Sequence, residues 1–155
     1  MDMKNLLVVY HSKTGRNARL IDAVCEGARD PEITNLDVRC LTAKQAGPDD
    51  LLWANAVILG TPENFGFMSG ALKDFFDRTF YEVEGKMNPL PCAIVIGAGN
   101  DGSGALRSIR RIIGGYPLME VQQEIIVRGE PQEDDLTRCR ELGMTIAAGL
   151  EAGMW

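Results

Sequence analysis

The sequence contains a single histidine, His11, so no multi-histidine metal centre can be assembled from it. Its four cysteines, Cys25, Cys40, Cys92 and Cys139, show no C-x-x-C and no metal-ligand spacing. No metal site is expected. A reducing compartment would keep such scattered cysteines as thiols, and their positions within strand and helix patterns give them a packing role. No apolar stretch approaches the roughly 20 residues that span a bilayer. The start, MDMKNLLVVY, has too short an apolar run for a signal peptide and no small-residue cleavage site. The expectation is a cytoplasmic protein without membrane insertion. Positive charge is also in short supply: 16 Lys and Arg against 22 Asp and Glu leave a net charge of −6, which argues against nucleic acid or anionic membrane as a partner.

What is present is a regular alternation. Leu6–Tyr10, Ala56–Gly60 and Pro91–Gly97 (PCAIVIG) are short apolar runs of the kind buried on both sides. Leu36–Leu41 alternates apolar and polar, and a further strand is expected near Val121–Val127. Between them lie helical patterns: Asn17–Ala28 with Leu20, Ile21, Val24 and Ala28 on one face, Pro48–Ala54 with a proline and two acids in its first turn, and a helix capped by Ser69. Two more run from Ser103 to Ile113 and from Glu133 to about Leu150. Apolar strands joined by helices require a parallel sheet covered on both faces, a doubly wound α/β domain of five strands. With no linker, repeat or low-complexity segment, residues 1–155 form one domain.

Three loops after strands carry the chemistry. The first, SKTGRN, joins the first strand to the first helix and packs two hydroxyls, two cations and a glycine into six residues. Open parallel sheets bind ligands beyond the carboxyl ends of their strands, and a helix N-terminus offers unpaired N–H groups to an anion. A phosphate there would also meet the hydroxyls of Ser12 and Thr14. A plain connection capped by Asn17 or Thr14 is the alternative. The nucleoside-triphosphate loop is excluded because G-x-x-x-x-G-K-[ST] is missing, and so is the acidic cluster of a phospho-receiver domain.

The second loop, GTPENFGFMSG, is too apolar for an idle surface and suits a flat aromatic ligand; Phe65, Phe67 and Met68 could otherwise tuck into the core or a subunit interface. The third, GAGNDGSG, contains Gly97-x-Gly99-x-x-Gly102, a dinucleotide fingerprint with Glu120 or Glu124 to bind a ribose. That fingerprint belongs on a first strand and here follows the fourth, so a glycine-rich loop approaching a planar ligand is preferred. Arg107, Arg110 and Arg111 on the next helix are read as a solvated face.

These residues resemble a family. YHSKTGRN is similar to the phosphate loop of flavodoxins, a Ser/Thr-x-Thr-Gly-x-Thr pattern, with Asn17 where Thr is usual. GTPENFGFMSGALKDFFDR resembles the second flavin loop of quinone reductases related to the tryptophan-repressor-binding protein, Gly-Thr-Pro-x-x-Phe-Gly-x-Met-Ser-Gly, and also echoes the NADPH-dependent FMN reductases. Gly85 and Lys86 match a Gly-Lys pair often found before the fourth strand. The resemblance covers nearly the whole chain and implies a flavodoxin-like sheet of order 2-1-3-4-5.

It further implies FMN as cofactor. Ser12, Lys13, Thr14, Gly15, Arg16 and Asn17 would hold its phosphate. Pro62, Glu63, Asn64, Phe65 and Gly66 would line the isoalloxazine, and Gly99, Asn100, Asp101, Gly102 and Gly104 would close the opposite side. The implied activity is electron transfer from NAD(P)H through the flavin to a quinone or other small-molecule acceptor. The alternative is a flavodoxin-like carrier docking on a redox partner. Carriers often stack the flavin on Trp and Tyr; here the second loop offers Phe, and Trp53 lies too early to serve, which favours an enzyme with an open flavin face. No catalytic side chain is assigned: His11 is read as structural, and Glu63 and Asp101 as loop acids. A homodimer is the default, because it would cover the apolar loop residues. The tetramer of the repressor-binding-protein relatives is not inherited, since the chain is shorter than theirs.

Overall fold

Leu6, Leu7, Val8 and Val9 are all fully buried, yet they serve two different cores. In the computed structural model, which describes residues 2–155, strand β1 (Lys4–Tyr10) sends Leu7 and Val9 to one face of a sheet and Leu6 and Val8 to the other. The same two-residue period divides β3 (Ala56–Asn64), with Val57 and Leu59 against Ala56 and Ile58, and β5 (Leu90–Ala98), with Ile94 and Ile96 against Ala93 and Val95. Strands apolar on both sides need helices on both sides. Helix α1 (Arg16–Ala28) and α5 (Glu133–Glu151) cover the Leu6 face, while α2 (Pro48–Trp53), α3 (Gly70–Val83) and α4 (Ser103–Ile113) cover the Leu7 face.

The pairing is parallel from β2 (Leu36–Thr42) through β1, β3 and β5, with Leu6 opposite Val38 and Ala56, and Leu59 opposite Ile94. The fifth position is shared by two short strands. β6 (Leu118–Glu120) pairs with Leu90–Cys92, and β7 (Ile125–Arg128) pairs with Val95–Ala98. The order is therefore the expected 2-1-3-4-5 with its last strand broken, where a continuous Val121–Val127 was anticipated. At the break the Arg110 guanidinium of α4 donates to both Glu120 and Glu124, at 2.8–3.0 Å. A second difference is that β3 continues past Gly60 to Asn64 and folds back as β4 (Phe67–Met68), antiparallel, with Glu63 opposite Met68. Residues expected to be a loop are a hairpin.

Helix starts follow local chemistry. The Ser69 hydroxyl accepts from Leu72 N at 3.2 Å to open α3. Asp50 and Asp135 reach back to Gly47 N and Gln132 N, at 2.9 and 2.8 Å, to open α2 and α5, each satisfying a donor that the helix itself cannot. α1 and α5 cross so closely that a Cβ on Gly143 would strike the Val24 carbonyl, and one on Gly27 the Arg140 carbonyl.

The cysteines divide into pairs of different kinds. Cys25 on α1 and Cys40 on β2 are joined as a disulfide with their Cα atoms 6.9 Å apart, which corrects the expectation of four thiols. The helix following β1 packs over the neighbouring strand β2, so two residues 15 apart in sequence meet. Cys92 and Cys139 are free and buried; burial pushes their thiols up to about 12 and about 11.

Gly143→Ala is expected to lower stability by about 1–3 kcal/mol through overpacking, seen as a melting temperature lower by roughly 2–12 °C. An unchanged melt would mean the α1–α5 crossing is looser than described. With thiols so hard to ionise, native protein kept from reductant should show no thiol reactive towards an alkylating reagent at pH 8. Two should react after denaturation, and all four after denaturation with reductant; four without reductant would remove the Cys25–Cys40 bond.

Candidate functional site

After β1 the chain crosses to β2 on one side, and after β2 it returns to β3 on the other. The crossovers therefore part at the carboxyl end of β1, the position where an open parallel sheet leaves a crevice. A cleft of ≈ 150 Å³ lies there. It is lined by Lys13, Thr14, Arg16 and Asn17 from the first loop, Pro62, Glu63 and Asn64 from the end of β3, and Gly97, Ala98 and Gly99 from the end of β5.

The first loop is shaped by Ser12. Its hydroxyl oxygen accepts from Gly15 N and Ala18 N, both at 3.1 Å, which occupies its two lone pairs and leaves its proton to donate. Gly15, at φ +93°, turns the chain into α1. The backbone N–H groups of Thr14, Arg16 and Asn17 have no protein acceptor among the described residues. Such clustered donors at a helix start form a nest for an anion. The Arg16 guanidinium is turned aside to Glu130, at 2.9 Å, and Arg19 also reaches that carboxylate. Asn17 is buried: its Nδ2 donates to the His11 carbonyl at 2.9 Å. Among the described residues its Oδ1 has no donor; it faces Gly97, where a Cβ would lie 3.0 Å away. His11 Nδ1 is likewise buried without a partner among the described residues.

The second loop is locked to the third. The Glu63 carboxylate accepts from Gly104 N at 3.0 Å and Ala105 N at 3.1 Å, so it occupies the head of α4, where a negative charge is favoured. Met68 N donates to Ser108 Oγ at 3.0 Å and Ser69 N to Thr61 Oγ1 at 2.9 Å. Gly66 and Gly104 approach so closely that a Cβ on Gly104 would overlap the Gly66 carbonyl. At the tip, Phe65 and Gly66 both have positive φ, +53° and +71°, and the Phe65 side chain is fully exposed. In the third loop Asp101 Oδ1 accepts from Ser103 N and Oγ, both at 2.9 Å, which holds its carboxyl below the usual range. Arg128 donates to the Asp101 carbonyl, and Gly102, at φ +77°, opens α4.

Of the residues nominated from sequence, Lys13, Thr14, Arg16, Asn17, Pro62, Glu63, Asn64 and Gly99 meet at the cleft. Ser12 and Gly15 belong to the same loop but are outside the lining. Phe65 and Gly66 form the hairpin tip, Gly104 packs beneath that tip, Asp101 and Gly102 build the α4 entry, and Asn100 is exposed. Gly97, which enters the sequence reading only through the fingerprint pattern, and Ala98, which does not enter it, also line the cleft; the run of small residues closing β5 was the signal. The dinucleotide reading loses both its requirements. Glu63 already fills the head of α4, and Arg110 engages both Glu120 and Glu124.

Comparison with known proteins agrees with this geometry. A flavodoxin from Aquifex aeolicus is 29% identical over 94% of this chain and 86% of its own. An NAD(P)H dehydrogenase (quinone) from Acidithiobacillus ferrooxidans is 35% identical over 50% of this chain and 48% of its own. A solved archaeal flavodoxin superposes with a TM-score of 0.79 at 23% identity, covering 95% of this chain and 99% of that one, and so shows a shared fold. Residues 6–131 match the family described as NADPH-dependent FMN reductase, with the first loop, the hairpin and the third loop all inside the matched span, and the chain belongs to that family.

Proposed function

We propose that the chain is an FMN-dependent oxidoreductase that takes electrons from NAD(P)H and passes them to a quinone or another small acceptor. The observation that carries this reading is the set of unsatisfied donors at the head of α1: the backbone N–H groups of Thr14, Arg16 and Asn17, three residues that line one cleft beside the sheet, with the Ser12 hydroxyl proton in the same loop. They suit one phosphate, and the extended Pro62–Asn64 segment opposite Gly97–Gly99 suits the edges of a flat ring system. FMN, when bound, supplies the hydride and electron chemistry.

The chain's own residues then hold and orient. Thr14, Arg16 and Asn17 donate their backbone N–H groups to the phosphate, and Ser12 its hydroxyl proton. Gly97 and Gly99 let backbone approach closely, and the hairpin, pinned by Glu63, keeps Asn64 and Pro62 at a fixed distance from the first loop. The Glu63 and Asp101 carboxylates each accept two hydrogen bonds through one oxygen, from Gly104 N and Ala105 N and from Ser103 N and Oγ, and no proton-carrying role is assigned to either. The full-length similarity to a flavodoxin favours a second reading, an electron carrier docking on a protein partner.

FMN added to the purified protein is expected to remain bound through gel filtration, and NADPH or NADH to reduce it. Steady turnover with a soluble quinone supports the enzyme; bound flavin without turnover selects the carrier, and no retained flavin removes both. Ser12→Ala should weaken FMN binding by about ten-fold or more, since bonds to a charged group are worth roughly 1.5–3 kcal/mol. It should leave riboflavin, which lacks the phosphate, within about two-fold of wild type, as measured by fluorescence quenching. Equal losses for both ligands would place the phosphate elsewhere.

A further inference from the structure

One carboxylate beside the cleft holds two cations. Arg16 Nε donates to Glu130 Oε1 at 2.9 Å, and Arg19 Nη1 donates to Glu130 Oε2 at 3.5 Å. The two arginines are three residues apart on α1 and so are neighbours on its surface. Glu130 follows β7 and is anchored by its own neighbours. Gly129, at φ +77°, donates its N–H to the Ala98 carbonyl at 2.9 Å, Pro131 is buried, and the Gln132 side chain donates to the Glu130 carbonyl at 3.1 Å. Ala98 lines the cleft, so the carboxylate is carried on a segment tied to the exit of β5.

A carboxylate in this position works against an anion site. Arg16 lines the cleft, and its backbone N–H is one of the unsatisfied donors there. Its guanidinium is thus a cation close at hand for a phosphate, and arginine–phosphate bonds are among the strong ones. Instead the guanidinium is bonded to a carboxylate of the chain itself. The two side chains are 45% and 60% exposed, and a pair so open to water adds little to the stability of a fold. What the pair changes is the charge beside the cleft: Glu130 engages one cation of the lining and brings a negative charge to the same side.

Building on the reading of the α1 head as an FMN phosphate site, we infer that Glu130 is a positioning residue that sets the discrimination between phosphorylated and unphosphorylated flavin. By holding the Arg16 guanidinium, it leaves the phosphate to the backbone donors and the Ser12 hydroxyl, and so limits what the phosphate adds to flavin binding. An entering phosphate and the Glu130 carboxylate compete for one guanidinium. Whichever anion keeps it, the other is left less well compensated, so in both cases Glu130 lowers the affinity for FMN and not that for riboflavin. The control lies in a residue outside the cleft lining.

The test measures dissociation constants of FMN and riboflavin by fluorescence quenching for wild type, Glu130→Gln, Arg16→Gln and the variant carrying both changes. Each is measured at low salt and in roughly 0.5 M NaCl, where exposed charges are screened. At low salt Glu130→Gln should tighten FMN by about five-fold, as a freed charged donor allows, and leave riboflavin within about two-fold of wild type. Salt should reduce the gain to less than about two-fold. Arg16→Gln alone should weaken FMN by about three-fold, because Glu130 then faces the phosphate uncompensated. The double variant should lose the gain, since no guanidinium remains at position 16 to be freed. The melting temperature of Glu130→Gln should stay within about 2 °C of wild type, as suits an exposed pair. FMN affinity in Glu130→Gln that is unchanged within about two-fold, or weaker, overturns the proposal. So does an equal gain for both flavins, or a gain that survives in the double variant, since either would trace the effect to a shifted loop and not to Arg16. Wild type that binds FMN no more tightly than riboflavin fails at the phosphate reading itself and takes this proposal with it, an outcome distinct from phosphate-dependent wild type with an unaltered variant.

Discussion

A parallel sheet covered on both faces has few places to present polar backbone. Its edges are limited, its faces are packed with Leu, Ile and Val, and only strand ends and helix starts remain. β1, β3 and β5 bury every side chain in their middles, so the chemistry is confined to the rim where they end. The split between crossovers at β1 then opens that rim at one point. The position of the cleft follows from the two-sided burial of three short apolar runs before any site residue is considered.

Two helix starts face that rim and are treated oppositely. The head of α1 keeps its N–H groups of Arg16 and Asn17 without protein acceptors, whereas the head of α4 receives the Glu63 carboxylate through Gly104 N and Ala105 N. A positive helix end attracts any nearby anion; one of the two is filled from within and the other is left open. The same carboxylate ties the hairpin to α4. Glu63 therefore both lines the cleft, with Pro62 and Asn64, and holds the hairpin that carries them.

Local features of this architecture were legible in the sequence because local chemistry decides them. α4 begins at Ser103 and ends at Ile113 as its pattern indicates, and Leu20, Ile21, Val24 and Ala28 are all buried on α1. The first-loop composition pointed to an anion site, and four of its six residues line the cleft. What the pattern concealed was decided at a distance. The break in the fifth strand coincides with Arg110 gathering two glutamates 10 and 14 residues away. The Cys25–Cys40 bond depends on how α1 lies over β2, and Glu63 meets amides 41 and 42 residues on. The β3–β4 hairpin is the intermediate case. Its turn carries Phe where Asn would have announced it, so the residue that obscured the hairpin is the one the structure leaves exposed.

The departure at Asn17 is explained by the same economy of polar groups. A threonine there would offer one short hydroxyl; the longer amide instead reaches the His11 carbonyl with its Nδ2 and places Oδ1 against Gly97. The amide is bonded at the exit of β1 and lies against the exit of β5, two of the three strand ends that define the cleft. A Cβ at position 97 would crowd the buried oxygen. Gly97 in the apparent dinucleotide fingerprint thus packs against the first loop. Asn17 leaves the backbone N–H groups of the first loop in place, since its side chain bonds only the His11 carbonyl. Ser12 keeps them aligned by accepting from Gly15 N and Ala18 N.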